Sequence, residues 1–176
     1  CQRPRPSLNR FGKEHDMTNA APALHPQVLA SAVVVDHLNR QLASAQVLLL
    51  NAKRYHWTVE GPHFRDYHLR FEELYQAVLP MVDELGERIR QLGGVPVTSP
   101  QQLVEHTVVR ISDPAKPLDA AAMVREALEN EQRVIDLMHE GIDLSAREGD
   151  PGTSDLLTGF VQVHQKEAWF LRSMLG

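Results

Sequence analysis

Five side chains in one stretch of the chain combine the residue types and the spacing of metal ligands. They are His56, His68, Glu72, Asp83 and Glu87. His68 and Glu72 (the first pair) are four residues apart, and on a helix they would lie on one face about one turn from each other. The same holds for Asp83 and Glu87 (the second pair). Imidazole nitrogens and carboxylate oxygens are donors that divalent transition metals accept, so the pattern predicts a metal site.

The two pairs cannot bind one metal ion within a single chain. Glu72 and Asp83 are eleven residues apart, which is about 16 Å along a helix that rises ~1.5 Å per residue. Metal–ligand bonds are only about 2.0–2.6 Å long. The spacing therefore predicts a site that is completed by a second copy of the protein.

Composition limits the class of protein to which this chain can belong. Its 176 residues, 43% hydrophobic and 23% charged, suit one globular domain with a real core. It has no apolar run of about 18 residues that could span a membrane. The net charge of −5 argues against a globular surface that grips nucleic acid. Cys1 is the only cysteine, which excludes an intrachain disulfide and a thiolate metal cluster.

Residues 1–25 are expected to form a flexible tail before a bundle domain at 26–176. Within residues 1–16, four cations face two acids, a net charge of +2 that leaves −7 for the rest. Proline and glycine in this segment favour disorder. The tail is either a solvated extension or a weak contact for DNA or an anionic membrane.

Helical periodicity dominates the rest of the chain. Apolar residues at intervals of three and four predict long helices at about 26–57, 64–92, 118–147 and 155–175, with a short helix near 101–106. Gly61-Pro62 should end the first helix, whereas Pro80 should bend the second without ending it. Ser154 is the predicted N-cap of the last helix. This pattern predicts an all-α, ferritin-like four-helix bundle, with a short extra helix in the crossover between the second and the third long helices.

The residues that carry the chemistry resemble a known family. The matching segments are Tyr55-His56-Trp57, Gly61-Pro62-His63-Phe64, His68 to Glu72, Asp83 to Glu87 and Leu92-Gly93-Gly94. They resemble the Dps family, the ferritin-like DNA-protection-during-starvation proteins, and the similarity extends over about residues 28–176. An ordinary ferritin would instead need two helical Glu-x-x-His motifs within one bundle, and this sequence lacks them.

The resemblance implies a hollow, twelve-subunit shell that oxidises iron at sites shared across a two-fold interface and stores it as a ferric mineral. One subunit would supply His56, His68 and Glu72, and its partner Asp83 and Glu87. The family usually has Asp where this chain has Glu72, which is a hard oxygen ligand one methylene longer. Hydrogen peroxide is the family's preferred oxidant.

The resemblance also implies acidic channels near the start of the last helix. Asp150 and Asp155 fall where such acids are expected, and a charged lining would concentrate Fe(II). They are thus candidate metal-attracting residues. An alternative for Asp155 is stabilisation of the helix N-terminus through the helix dipole.

The leading hypothesis is a ferroxidase-type oxidoreductase and iron-storage protein. It would convert Fe2+ to Fe3+ with hydrogen peroxide or oxygen in a homo-oligomer, expected to be a dodecamer, and so protect against oxidative damage. The alternative is a nucleoid protein that condenses DNA through its N-terminal tails, and a redox-inactive shell is a third option. We expect a cytoplasmic, nucleoid-associated location; the alternative is export or envelope anchoring through the N-terminal extension.

Overall fold

The computed structural model describes residues 32–176 and confirms the all-α architecture over that range. The helices are α1 (Ala32–Thr58), α2 (Phe64–Gln91), α3 (Pro100–His106), α4 (Ala120–Arg147) and α5 (Pro151–Ser173). The four long helices form the bundle, and the short α3 lies in the crossover, as the sequence predicted. The tail at 1–25 and the predicted helix start at residue 26 lie outside the described residues.

The turn between α1 and α2 reverses the chain within five residues. Gly61 has φ 97° and His63, the residue before α2, has φ 61°. Both values lie in the left-handed region, which glycine adopts freely and other residues rarely do. Gly61-Pro62 therefore ends α1 as predicted, and α2 continues through Pro80 to Gln91.

The predicted start of the last helix was wrong by four residues. α5 begins at Pro151, and its N-cap is Asp150 rather than Ser154. The Asp150 carboxylate accepts a hydrogen bond from the Thr153 backbone N–H at 3.0 Å. Proline suits the first helical position because no intrahelical partner is needed for an N–H there. The Asp-Pro cap therefore takes precedence over the later serine.

Two buried asparagines fasten the crossover to the bundle. Asn51 on α1 donates to the Arg110 carbonyl at 2.8 Å and accepts from the Ser112 N–H at 3.0 Å. Asn130 on α4 accepts from the Arg110 N–H at 2.9 Å. These bonds satisfy backbone groups of a segment that has no regular structure of its own. The crossover is thus a fixed part of the domain.

The core lies along the contacts of α1 with α2 and of α4 with α5. Its largest fully buried apolar side chains are Tyr55, Phe71, Leu38, Leu48, Leu74, Leu85, Ile89, Met138, Leu157 and Leu171. A buried hydrogen bond of 2.7 Å joins His164 on α5 to Glu131 on α4. Among the helices of residues 32–176, none is long and apolar enough to cross a membrane.

Asp150 also makes an ion pair, at 2.6 Å, with Arg88 of α2. Burial acts to raise the pKa of the Asp150 carboxyl, but hydrogen bonds from Thr153 and the charge of Arg88 outweigh it and hold the pKa below its ordinary value. The unfolded chain has the ordinary pKa of about 3.9. The stabilisation is therefore complete above about pH 4 and is lost as the pH falls through the lower folded pKa.

We expect Asp150→Asn to destabilise the domain by about 1–3 kcal/mol at pH 7, because the amide keeps the cap but loses the charged bond to Arg88. The difference from wild type should shrink as the pH drops below about 4. Urea unfolding at several pH values measures both effects. Asp155→Asn is the matched control, since the exposed Asp155 should contribute less than about 0.5 kcal/mol. Equal losses in the two variants would contradict the prediction.

Candidate metal site

His56 and His68 hold each other in place across the turn between α1 and α2. His56 Nδ1 lies 2.8 Å from the His68 carbonyl oxygen, and His68 Nδ1 lies 2.7 Å from the His56 carbonyl oxygen. Their rings stack with centroids 3.7 Å apart. The His56 carbonyl belongs to the last turn of α1, where carbonyls have no partner within the helix. The reciprocal bonds therefore satisfy the helix end while they orient both rings.

This arrangement fixes the tautomer of both imidazoles. A carbonyl oxygen can only accept a hydrogen bond, so each Nδ1 must carry the proton and donate it. In the neutral ring the proton is then absent from Nε2, whose lone pair can bind a metal. A histidine ligand commonly donates its other ring N–H to a carbonyl in this way. Both rings are thus prepared as Nε2 ligands.

Glu72 lies one turn beyond His68 on α2, and both side chains are half-buried. Its Oε1 accepts a hydrogen bond of 3.2 Å from Gln76 Nε2. This bond leaves Oε2 with no hydrogen-bond partner among the described residues. Glu72 thus shares a helix face with His68 near His56, but within residues 32–176 these three side chains do not converge closely enough to hold an ion.

The second pair lies farther along the same helix. Asp83 and Glu87 are exposed, and within residues 32–176 neither makes an ion pair. Because α2 is continuous from Phe64 to Gln91, the rise of the helix keeps the two pairs about 16 Å apart. Nowhere in this part of the chain do three His, Cys, Asp or Glu side chains converge closely enough to hold an ion. The structure thus keeps the two candidate ligand pairs apart within one chain.

The structure distinguishes the two acids predicted to attract metal. Asp150 is buried, and both of its oxygens accept hydrogen bonds, from Arg88 and from Thr153. Its carboxylate is already engaged in this arrangement. Asp155 is exposed and lies in the second turn of α5, too late to serve as the helix cap. It lines a surface cleft of about 300 Å³ together with Glu84 and Glu87.

An aromatic neighbour of the histidines was missed by the sequence reasoning. The Tyr75 ring meets His56 edge-on, with centroids 5.5 Å apart. The Lys53 ammonium lies 4.0 Å from the centre of the same tyrosine ring. The only signal in the sequence was that Tyr75 follows Glu72 by three residues, which puts both on one helix face. Tyr75 and Lys53 thus border the candidate ligands on the His56 side.

Comparison with known proteins agrees with this fold. A family model for the ferritin-like domain matches residues 35–176. DNA protection during starvation protein 2 of Bacillus anthracis is 34% identical over 143 residues, which cover 81% of this chain and 97% of the relative.

Solved structures extend the similarity to three dimensions. Dps from Thermosynechococcus elongatus has 41% identity and a TM-score of 0.80, covering 82% of this chain and 91% of its own. A Dps protein from Vibrio cholerae, described as a member of a superfamily of ferritin-like diiron-carboxylate proteins, has 26% identity and a TM-score of 0.78. That match covers 82% of this chain and 90% of the other. The helical bundle and these similarities together show that the chain belongs to the Dps family of the ferritin-like superfamily.

Proposed function

We propose that this protein is a ferroxidase and iron-storage protein that oxidises Fe(II) at sites shared between two subunits of a hollow dodecamer. The observation that carries the proposal is the separation of the two ligand pairs along one continuous helix. His56, His68 and Glu72 would bind iron from one subunit, and Asp83 and Glu87 would bind it from the partner, each set being one half-site. The mixed donor set suits Fe(II), and the carboxylates suit the Fe(III) product.

The reaction balances with hydrogen peroxide as the oxidant. Two Fe(II) ions lose one electron each, and peroxide takes up these two electrons and two protons to become two molecules of water. Two-electron reduction avoids release of the hydroxyl radical. Oxygen is the alternative oxidant. Ferric ion would then move inward and accumulate as mineral, which removes both reactants of a damaging reaction from the cell.

Exposed apolar side chains beside the ligands support the shared site. Trp57 is 71% exposed and directly follows His56, and Leu69 is 38% exposed and directly follows His68. Phe64 and Leu79 on α2 are also exposed, at 46% and 55%. Large apolar residues clustered on one surface indicate a protein interface. A partner subunit docked here would cover these residues and bring its own second pair to the first.

Asp155 supports a route for iron. With Glu84 and Glu87 it gives the cleft between α2 and α5 three carboxylates against the single charge of Arg88. Such a cleft attracts cations. We propose that Asp155 guides Fe(II) into the shell. The same role for Asp150 stays a prediction, although its carboxylate accepts hydrogen bonds from Arg88 and Thr153.

DNA condensation is the second candidate function. It is favoured by the separation of charge, since residues 1–16 carry a net +2 while the rest of the chain carries −7. Twelve tails on one shell would add weak contacts into useful avidity. This function would place the protein in the cytoplasm, beside the nucleoid.

Subunit complementation tests the shared site. We expect His68→Ala/Glu72→Ala and Asp83→Ala/Glu87→Ala each to lose fast peroxide-driven Fe(II) oxidation. Refolding the two variants together at equal amounts should restore about a quarter of the wild-type rate. The reason is that about half of randomly formed two-fold pairs are mixed, and each mixed pair regains one intact site of two. Ferric absorbance after anaerobic Fe(II) loading measures the rate.

Each variant refolded with itself is the control, and size-exclusion chromatography confirms equal assembly. Absence of recovery in an assembled mixture would contradict a shared site. Wild-type rates in the two separate variants would contradict the assignment of these ligands altogether.

Deletion of residues 1–16 tests the DNA hypothesis. If the tails bind DNA, wild-type affinity should fall steeply with added salt and the deletion should abolish binding, because the phosphate contacts would come from the tail cations. Gel-shift assays at several salt concentrations provide the measurement. Undiminished binding by the truncated protein would exclude the tail mechanism, whereas its iron oxidation should remain at the wild-type rate.

A further inference from the structure

Helix α2 carries four of the five proposed ligands, but its packing is uneven. Its apolar face lies mainly against α1, and its contact with α5 is slight. At the few points where α2 meets α5, the closest interactions are made by charged side chains. Arg70 contacts Glu167, and Arg88 contacts Asp150. These two ion pairs, which we call the α2–α5 clamps, lie near opposite ends of α2.

The first clamp is almost completely buried. The side chains of Arg70 and Glu167 are 8% and 7% exposed. Arg70 Nη1 also donates to Glu73 at 2.9 Å, and its guanidinium lies 4.7 Å from the centre of the Phe170 ring. Burial lowers the pKa of Arg70, and the charges of Glu73 and Glu131 oppose that change. The guanidinium is thus held from three sides.

In the second clamp, too, several groups contact one guanidinium. Arg88 bonds Asp150 at 2.6 Å, the Thr153 hydroxyl at 2.9 Å and Gln91 at 3.1 Å. A Cβ atom on Gly152 would lie 2.9 Å from the guanidinium, so the glycine lets Arg88 approach the start of α5. The arginine therefore fixes its part of α2 against a specific point on α5.

The clamps and the ligands lie on different faces of α2, although Glu87 borders the same cleft as Arg88. At about 100° per residue, Arg70 and Arg88 are five whole turns apart and share one face. His68 and Glu72 each lie about 160° around the helix from Arg70, and the second pair lies about 100–140° from Arg88. Rotation of α2 about its axis would therefore move both half-sites, and the clamps oppose that rotation.

We propose that Arg70 and Arg88 are positioning residues for the iron site, and that their ion pairs with α5 set the rotation at which α2 presents its ligands. This inference rests on the proposed function. Each ligand pair has one clamp within a few residues of it, so each half-site is fixed locally. A site made from two subunits needs each subunit to orient its own ligands, because the ligands of one subunit cannot compensate for misplaced ligands in the other.

The decisive experiment separates positioning from stability. Arg70→Met/Glu167→Leu replaces the buried ion pair by apolar side chains of similar size, a change that often leaves stability unaltered. Co(II), which takes the same mixed ligands and absorbs visible light, is the probe titrated into the assembled, metal-free protein. We expect this variant to bind Co(II) at least ~10-fold more weakly than wild type, with an altered absorption spectrum. Loss of a residue that orients metal ligands commonly has an effect of this size.

Matched variants complete the test. Arg40→Met/Glu140→Leu removes an ion pair between α1 and α4 that does not touch α2, and it should keep the wild-type affinity. Arg70→Lys retains the charge but loses the planar fork of donors, so it should weaken Co(II) binding by an intermediate factor. Thermal unfolding and size-exclusion chromatography confirm that each variant folds and assembles.

The outcomes are distinct. Wild-type Co(II) affinity and spectrum in the assembled Arg70→Met/Glu167→Leu variant would overturn the inference; if that variant fails to assemble, wild-type binding by Arg70→Lys overturns it. His68→Ala/Glu72→Ala is the reference that must lose Co(II) in either case. If this reference binds Co(II) like wild type, the proposed function itself fails, and the positioning inference fails with it.

Discussion

The stiffness of one helix sets the distance between the candidate metal ligands of this protein. α2 runs unbroken from Phe64 to Gln91, so its rise keeps the first and second ligand pairs about 16 Å apart. No side-chain rotation can close that distance. In the proposed function a complete site therefore requires another chain, and assembly of the proposed shell would also form the oxidation site.

Polar contacts within one chain orient the candidate ligands: the bonds between His56 and His68, and the two α2–α5 clamps. The reciprocal bonds between His56 and His68 set the tautomers, and one of them uses the free His56 carbonyl at the end of α1. Arg70 and Arg88 connect α2 to α5 from a helix face that carries none of the proposed ligands. The bundle core supplies a rigid support, but it is non-directional. The orientation of the ligands depends on these directional bonds.

The sequence predicted most elements because their signals are local. Apolar spacing located the four long helices, and the residues Gly61 and Pro62 located the first turn. The start of the last helix was placed four residues too late, because Ser154 and Asp150 are both acceptable caps; Pro151 at the first helical position and the ion pair with Arg88 favour the earlier one. The pairing of Glu131 with His164 joins residues 33 positions apart. No periodicity within one segment could have indicated that contact.

The sequence by itself determined which side chains are candidate metal ligands and that the two pairs cannot meet within one chain, because the rise of an α-helix and the spacing of residues along it are fixed. Tertiary structure alone decided which nitrogen of each imidazole is free and that Asp150 is engaged while Asp155 remains open. It also decided which charges hold α2 in place. Those properties depend on groups from other helices, whose distances in space are set by packing and leave no trace in local sequence spacing.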